Sequence, residues 1–122
     1  MLTEDFARHF AQEWIDSWNA HDLDRILSHY TDDFSMSSPF IALMGVDPSG
    51  ELHGKPAVAA YWKRALERLP DLHFELIQTF VSANSVAVLY KAVLGKTAVE
   101  IFAFNDAGKV KAACGHYDKV GM

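Results

Sequence analysis

The sequence predicts an α+β domain: a mostly antiparallel sheet with helices packed on one face. Three observations predict it. Up to Leu69 the apolar residues recur mainly at helical spacing, interrupted by one short alternating stretch near Phe34. From Leu72 onward the period changes to two. The alternating segments are separated by short turn sequences, as in a meander.

Thr3 is placed to cap a first helix, with Glu4 and Asp5 at its positive dipole end. Phe6, Phe10, Trp14 and Trp18 then recur every four residues, and Ala7, Ala11 and Ile15 widen the stripe. An aromatic face of this kind is more often core than ligand box. Asn19-Ala20-His21 ends the helix, and Asp22 caps a short second one carrying Leu23, Ile26 and Leu27. Phe34 to Ser38 reads as a short strand with Phe34, Met36 and Ser38 on one face, stopped by Pro39, which has no N–H. Phe40 to His53 is expected to be a long connection. Its opening, Phe40–Met44, is too apolar for a solvated loop, and a lid and a plug over the open end of the core are equal readings.

Gly54 caps a third helix with Pro56 in its first turn and an apolar stripe of Val58, Tyr61, Trp62, Ala65, Leu66 and Leu69. In the next segment Leu72, Phe74, Leu76, Gln78 and Phe80 share one face of a strand. Val86 to Leu94 is mostly apolar and is expected to be a central strand covered on both faces. Gly95-Lys96 turns into the last pair of strands.

That last pair, Val99 to Tyr117, carries the chemistry. Asn105-Asp106-Ala107-Gly108 is turn sequence. Ala98, Glu100, Phe102 and Phe104 share a face, so one carboxylate lies in an apolar row. A buried carboxyl has a raised pKa unless a cation or several donors hold it ionised. Kept neutral, it can donate a hydrogen bond to a developing oxyanion. The plainer reading is an edge glutamate reaching water or a lysine. A two-residue turn at Asp106-Ala107 would set Glu100 opposite Ala113, on the face of Gly115 and Tyr117, and send His116 outward; one bulge would reverse that. Cys114 reads as a packed thiol. A sheet roofed by helices encloses a cone-shaped cavity. Trp14, Trp18, Tyr61 and Trp62 would approach from the roof, and Phe34, Met36, Phe74, Tyr90, Glu100, Phe102 and Tyr117 from the sheet. An apolar cavity with a few polar groups is the default small-molecule site.

Composition bounds the rest. The chain has 122 residues, half of them hydrophobic, and a net charge of −5 that is spread rather than blocked. That suits one domain over residues 1–122 and argues against a nucleic-acid surface. No apolar run approaches the ~20 residues of a membrane span, and the acidic N-terminus lacks a signal-peptide core. Cys114 is the only cysteine, which excludes an internal disulfide and makes the cytoplasm the expected compartment. His9, His21, His29, His53 and His73 show no metal-ligand spacing, so no metal and no cofactor is expected.

The runs W-N-A-H-D-L-D-R-I-L-S-H-Y-T-D-D-F, S-P, G-K-P-A-V-A-A-Y-W and F-N-D-A-G-K-V resemble the nuclear transport factor 2-like superfamily, in its SnoaL-like and ketosteroid isomerase-like branch. The resemblance covers nearly the whole chain. It implies a cystatin-like cone, with a curved sheet and three helices on its concave face, and a homodimer through the convex face. Carried over from the ketosteroid isomerases, the buried acid falls on Glu100 and the general-base aspartate on Ser38. The oxyanion tyrosine falls on Trp14, a second network tyrosine is kept as Tyr30, a third falls on Trp62, and a late apolar position falls on Tyr117. The acid is kept and the base is lost, which argues against steroid isomerisation. SnoaL-like cyclases, which work with one carboxylic acid/base, resemble the chain equally well. The epoxide hydrolase pattern needs an Asp–Arg–Asp set, and no arginine is expected in the cavity. Two readings follow. One is a cofactor-free isomerase, cyclase or lyase acting on a small apolar carbonyl compound, with Glu100 as acid/base or oxyanion donor and Tyr117, Trp14 and Ser38 positioning the substrate oxygen. The other is a non-catalytic ligand-binding or dimerisation domain.

Overall fold

The Thr3 side chain accepts a hydrogen bond from the Phe6 N–H at 3.1 Å and starts α1 (Glu4–Asn19). The computed structural model describes residues 1–121; Met122, the last residue of the expected domain, lies outside them. At the far end of α1, His21 takes a left-handed φ of 54° and breaks the helix. Asn19 then clamps the Phe74 backbone, accepting from its N–H at 2.6 Å and donating to its carbonyl at 2.9 Å. Asp22 caps α2 (Leu23–Leu27) through the Arg25 N–H.

The remaining elements are β1 (Tyr30–Ser37), α3 (Pro39–Leu43), β2 (Glu51–His53), α4 (Lys55–Arg68), β3 (Glu75–Val81), β4 (Ser85–Lys91), β5 (Thr97–Phe104) and β6 (Val110–Tyr117). They form a six-stranded sheet in the order β2-β1-β6-β5-β4-β3. The β1–β6 pair is parallel and the others are antiparallel. This is the α+β cone expected from the sequence, with four α-helices among the described residues where three were expected.

The extra helix is α3. Its stretch was expected to be a connection, but the Ser38 hydroxyl accepts from the Phe40 N–H at 3.2 Å and Pro39 opens the first turn. A hydroxyl cap and a preset φ are enough to close one turn of helix. Ile41 is fully buried beneath it, while Leu43 and Met44 face outward.

Two registers differ from the sequence pattern. In β6, Glu100 sits opposite Gly115, not Ala113. Asn105 Oδ1 accepts from both the Ala107 and Lys109 N–H groups, so the turn closes between Asn105 and Lys109, one residue longer than expected. A bulge then shifts the pairing again between Ala103 and Phe104. The two shifts cancel in parity, so Ala113, Gly115 and Tyr117 stay on the Glu100 face and His116 stays outside. In β3 a bulge between Leu76 and Gln78 reverses the alternation. Phe80, expected inward, is therefore on the outer face and 55 % exposed.

The outer face of β4 is also barer than expected, with Ser85, Ala87 and Leu89 half-buried. Phe80, Ala87, Ile101 and Cys114 are cross-strand neighbours over four strands and form an apolar row there. Cys114 is a free, half-buried thiol 3.9 Å from His116 Nε2. Among the described residues no helix is long and apolar enough to cross a membrane.

Candidate functional site

Strand β5 lays Ala98, Glu100, Phe102 and Phe104 along the concave face, each almost fully buried. Over its C-terminal half α1 supplies matching aromatics. Phe10 meets Phe102 and Phe104 edge-on at 4.8 and 4.9 Å between centroids. Trp14 stands edge-on to both Phe102 and Tyr90 at 5.1 Å. Beyond Trp14 a cavity of about 330 Å³ opens, bordered on the sheet side by Phe74, Tyr90, Glu100 and Tyr117.

Of the residues expected to form the site, the structure brings Trp14, Trp18, Met36, Ser38, Tyr61, Trp62, Phe74, Tyr90, Glu100 and Tyr117 to this one cavity. Tyr30, Phe34 and Phe102 are not on its wall. The Trp14 Nε1–H donates to the Tyr30 hydroxyl at 2.9 Å, which holds the Tyr30 ring behind the indole. Phe34 packs against both Tyr30 and Trp62, at 4.3 and 5.9 Å from their rings. Phe102 is sealed beneath Phe10 and Trp14. The same bond corrects the expected part of Trp14: its only donor is spent on Tyr30, so it offers the cavity a ring and no hydrogen bond.

Glu100 is 3 % exposed, and burial pushes its carboxyl up to about 8. Among the described residues no cation or hydrogen bond offsets that burial. Its Oε1 lies 3.0 Å from where a Cβ on Gly115 would stand, and the Tyr117 hydroxyl lies 3.6 Å from the same point. The acid and the phenol therefore share the space that glycine leaves. Burial pushes the Tyr117 phenol up, Glu100 and Tyr61 add to this, and the hydroxyls of Tyr90 and Ser38 pull it partly back. Tyr90 is also pushed well up, first by burial and then by Glu100. Burial thus favours the protonated forms of this carboxyl and these phenols.

A profile of the SnoaL-like domain family matches residues 11–113. The chain belongs to the SnoaL-like family. A SnoaL-like protein of unknown function from Burkholderia thailandensis is 51 % identical, with a TM-score of 0.93 over 96 % of this chain and 98 % of that one. The epoxide hydrolase/cyclase-like enzyme SalBIII, of pyran-ring formation in the polyether salinomycin, is 20 % identical with a TM-score of 0.75 over 100 % and 95 % of the two chains. A candidate isomerase of the SnoaL-like family from Agrobacterium tumefaciens is 17 % identical, with a TM-score of 0.72 over 94 % and 99 %. The last two establish a shared fold. A search of curated protein sequences finds no match.

The mouth of this SnoaL-like cavity holds residues that pattern reasoning missed. Phe40 and Met44 come from the α3 segment, Arg68 and Leu69 from the end of α4, and Ala92, Val93, Leu94 and Lys96 from the β4–β5 connection. Leu94 takes a left-handed φ of 57° and is 71 % exposed. Arg68 overturns the expectation that no arginine reaches the cavity, although no aspartate joins it on the wall. Lys96 was assigned to a turn, yet counting back from Glu100 by twos passes Ala98 and reaches Lys96, so alternation alone could have found it. Among the described residues no three His, Cys, Asp or Glu side chains gather into a metal-binding group.

Proposed function

We propose that the cone binds a small apolar carbonyl compound and that Glu100 is the group that meets its oxygen. The observation that carries this reading is the Glu100 carboxyl, buried without a partner and facing an aromatic cavity. A neutral carboxylic acid there donates to a carbonyl and follows it as charge develops toward an enolate, while Tyr117 and Ser38 supply neighbouring hydroxyls. This is the chemistry of a cofactor-free isomerase, cyclase or lyase, and the names of the SnoaL-like isomerase and of SalBIII support that class. Steroid isomerisation is disfavoured. It needs a carboxylate base at the Ser38 position, and the Ser38 oxygen instead caps α3.

The competing reading is a non-catalytic binder. The absence of a second carboxylate from the cavity wall favours it. A panel of aryl ketones, cyclic enones and phenols, titrated against tryptophan emission, separates the possibilities. Trp14, Trp18 and Trp62 border the cavity, so occupancy alters their fluorescence. Binding that is altered in Glu100→Gln, with turnover of an enone, supports the enzyme. Binding without turnover of any panel member supports the binder. No binding at all refutes both. In the same reading the outer apolar row of Phe80, Ala87, Ile101 and Cys114 packs against a second copy of the chain. Ile101→Arg is expected to convert a dimer to a monomer in light scattering, and a monomeric wild type would refute the pairing.

A further inference from the structure

The cavity has a second polar pole, far from Glu100. Lys96 precedes β5 on the same face as Glu100 and lies four residues before it, roughly 13 Å along an extended chain. It lines the cavity and is only 6 % exposed. Its Nζ donates to the Gly121 carbonyl at 2.7 Å and the Lys119 carbonyl at 3.3 Å, and stands 5.4 Å from the centre of the Phe40 ring. All of these partners are uncharged. Among the described residues no carboxylate forms an ion pair with it. A lysine is rarely buried this far without a counter-charge. Among the described residues two of its three N–H bonds are engaged, both by carbonyls. Arg68 adds a second positive charge to the same cavity lining.

Resting on the reading proposed above, we infer that the ligand is an oxo-carboxylate, its carbonyl at Glu100 and its carboxylate at Lys96, with an apolar body spanning the aromatic walls between them. A single point charge suits a singly charged carboxylate. A dianionic phosphate would bring more charge into an apolar space than this lysine can balance. Among the described residues the wall carries no carboxylate other than Glu100. With that group pushed up to about 8 by burial, the cavity does not repel an anion at neutral pH. The two poles also define an orientation, since a ligand entering carboxylate-first would set its acid against Glu100 and leave Lys96 unpaired.

The test is a matched pair of probes, 5-(4-acetylphenyl)pentanoic acid and its methyl ester, in which an aromatic body separates the ketone from the carboxylate, measured by isothermal titration calorimetry at neutral pH. The acid is expected to bind about ten-fold tighter than the ester, a difference of ~1.4 kcal/mol. Raising sodium chloride from about 50 mM to about 500 mM should weaken the acid and leave the ester unchanged. Lys96→Met should abolish the preference by weakening the acid alone, whereas Glu100→Gln should affect both probes alike and so preserve it. Equal binding of acid and ester by the wild type overturns the inference, as does a preference that survives in Lys96→Met. If Lys96→Met does not fold, the ester comparison and the salt dependence in the wild type decide. Ketones without a carboxylate binding while the acid does not would overturn the inference and leave the reading beneath it standing; failure of every ketone would overturn both.

Discussion

The two halves of β5 face the same roof and end in opposite states. In the C-terminal half, Phe102 and Phe104 meet Phe6 and Phe10 of α1, and the cone is solid. In the N-terminal half, Glu100 borders a cavity with Tyr90 and Tyr117 of the neighbouring strands, and the cone is hollow. Trp14 marks the border, its face toward the cavity and its N–H tied back to Tyr30 in the packed half. The fold alone does not make a cavity. It makes a concave sheet under helices, and what the roof sets against each half decides which is filled: Phe6 and Phe10 meet Phe102 and Phe104 in one, and a cavity bordered by Glu100 opens in the other. The solid half provides stability, and the hollow half can then keep a carboxyl in a low-dielectric site.

The largest effect should come from the solid half. Phe102→Ala empties a fully buried position and is expected to cost ~3–5 kcal/mol in denaturant unfolding. A cost under about 1 kcal/mol would mean that the two halves are not as different as their packing indicates.

The hollow half should show itself through pH. In the folded chain Glu100 keeps its proton up to about 8, whereas an unfolded glutamate releases it near ~4.3. Between those values the folded state holds a proton that the unfolded state has lost, so stability falls as pH rises, by at most ~1.4 kcal/mol per pH unit. It levels off above the folded value. Glu100→Gln lacks that slope, so the wild type should lose stability relative to the variant as pH rises from mildly acidic to mildly alkaline. Parallel curves for the two proteins would contradict a buried, unpaired acid.

Gly115→Ala sharpens the comparison at its border. The new Cβ would stand 3.0 Å from Glu100 Oε1 and 3.4 Å from Tyr117 Cε1. The expected cost is ~1–3 kcal/mol of stability, with loss of ketone binding as the carboxyl and phenol are pushed apart. Unchanged binding in calorimetry would show that the acid and phenol do not act from that shared space. The smallest effect is at the rim. Ser38→Ala removes the α3 cap and should cost ~1 kcal/mol in thermal or denaturant unfolding. If it also abolishes ligand binding, Ser38 contributes more than a cap.

Much of this was legible in the sequence, for identifiable reasons. The burial of Glu100 followed from period-two alternation, a local property that survives a shift of register. The exact partner of Glu100 did not follow, because it depends on one extra turn residue closed by Asn105 and on a bulge in β6. Neither leaves a mark in hydrophobic pattern. The Ile77 bulge hid the outward turn of Phe80 for the same reason. The helix α3 was missed because five residues give no periodicity, although Ser38-Pro39 is a start signal. Tyr30, Phe34 and Phe102 were placed on the cavity wall because parity gives the face and not the depth. Whether an inward aromatic lines a hole or fills it depends on what another element supplies, here Trp14 and Phe10. Lys96 is hidden from pattern reading by its turn partner Gly95.

The central claim is that Glu100 is a protonated acid facing the cavity at neutral pH. Its most direct test is a carbon-13 NMR titration of glutamate side-chain carboxyls in labelled protein, with Glu100→Gln to assign the signal. The account predicts one carboxyl that titrates near 8, vanishes in the variant and moves when an aryl ketone is added. Every glutamate titrating in the ordinary range of about 4 to 5 would contradict it.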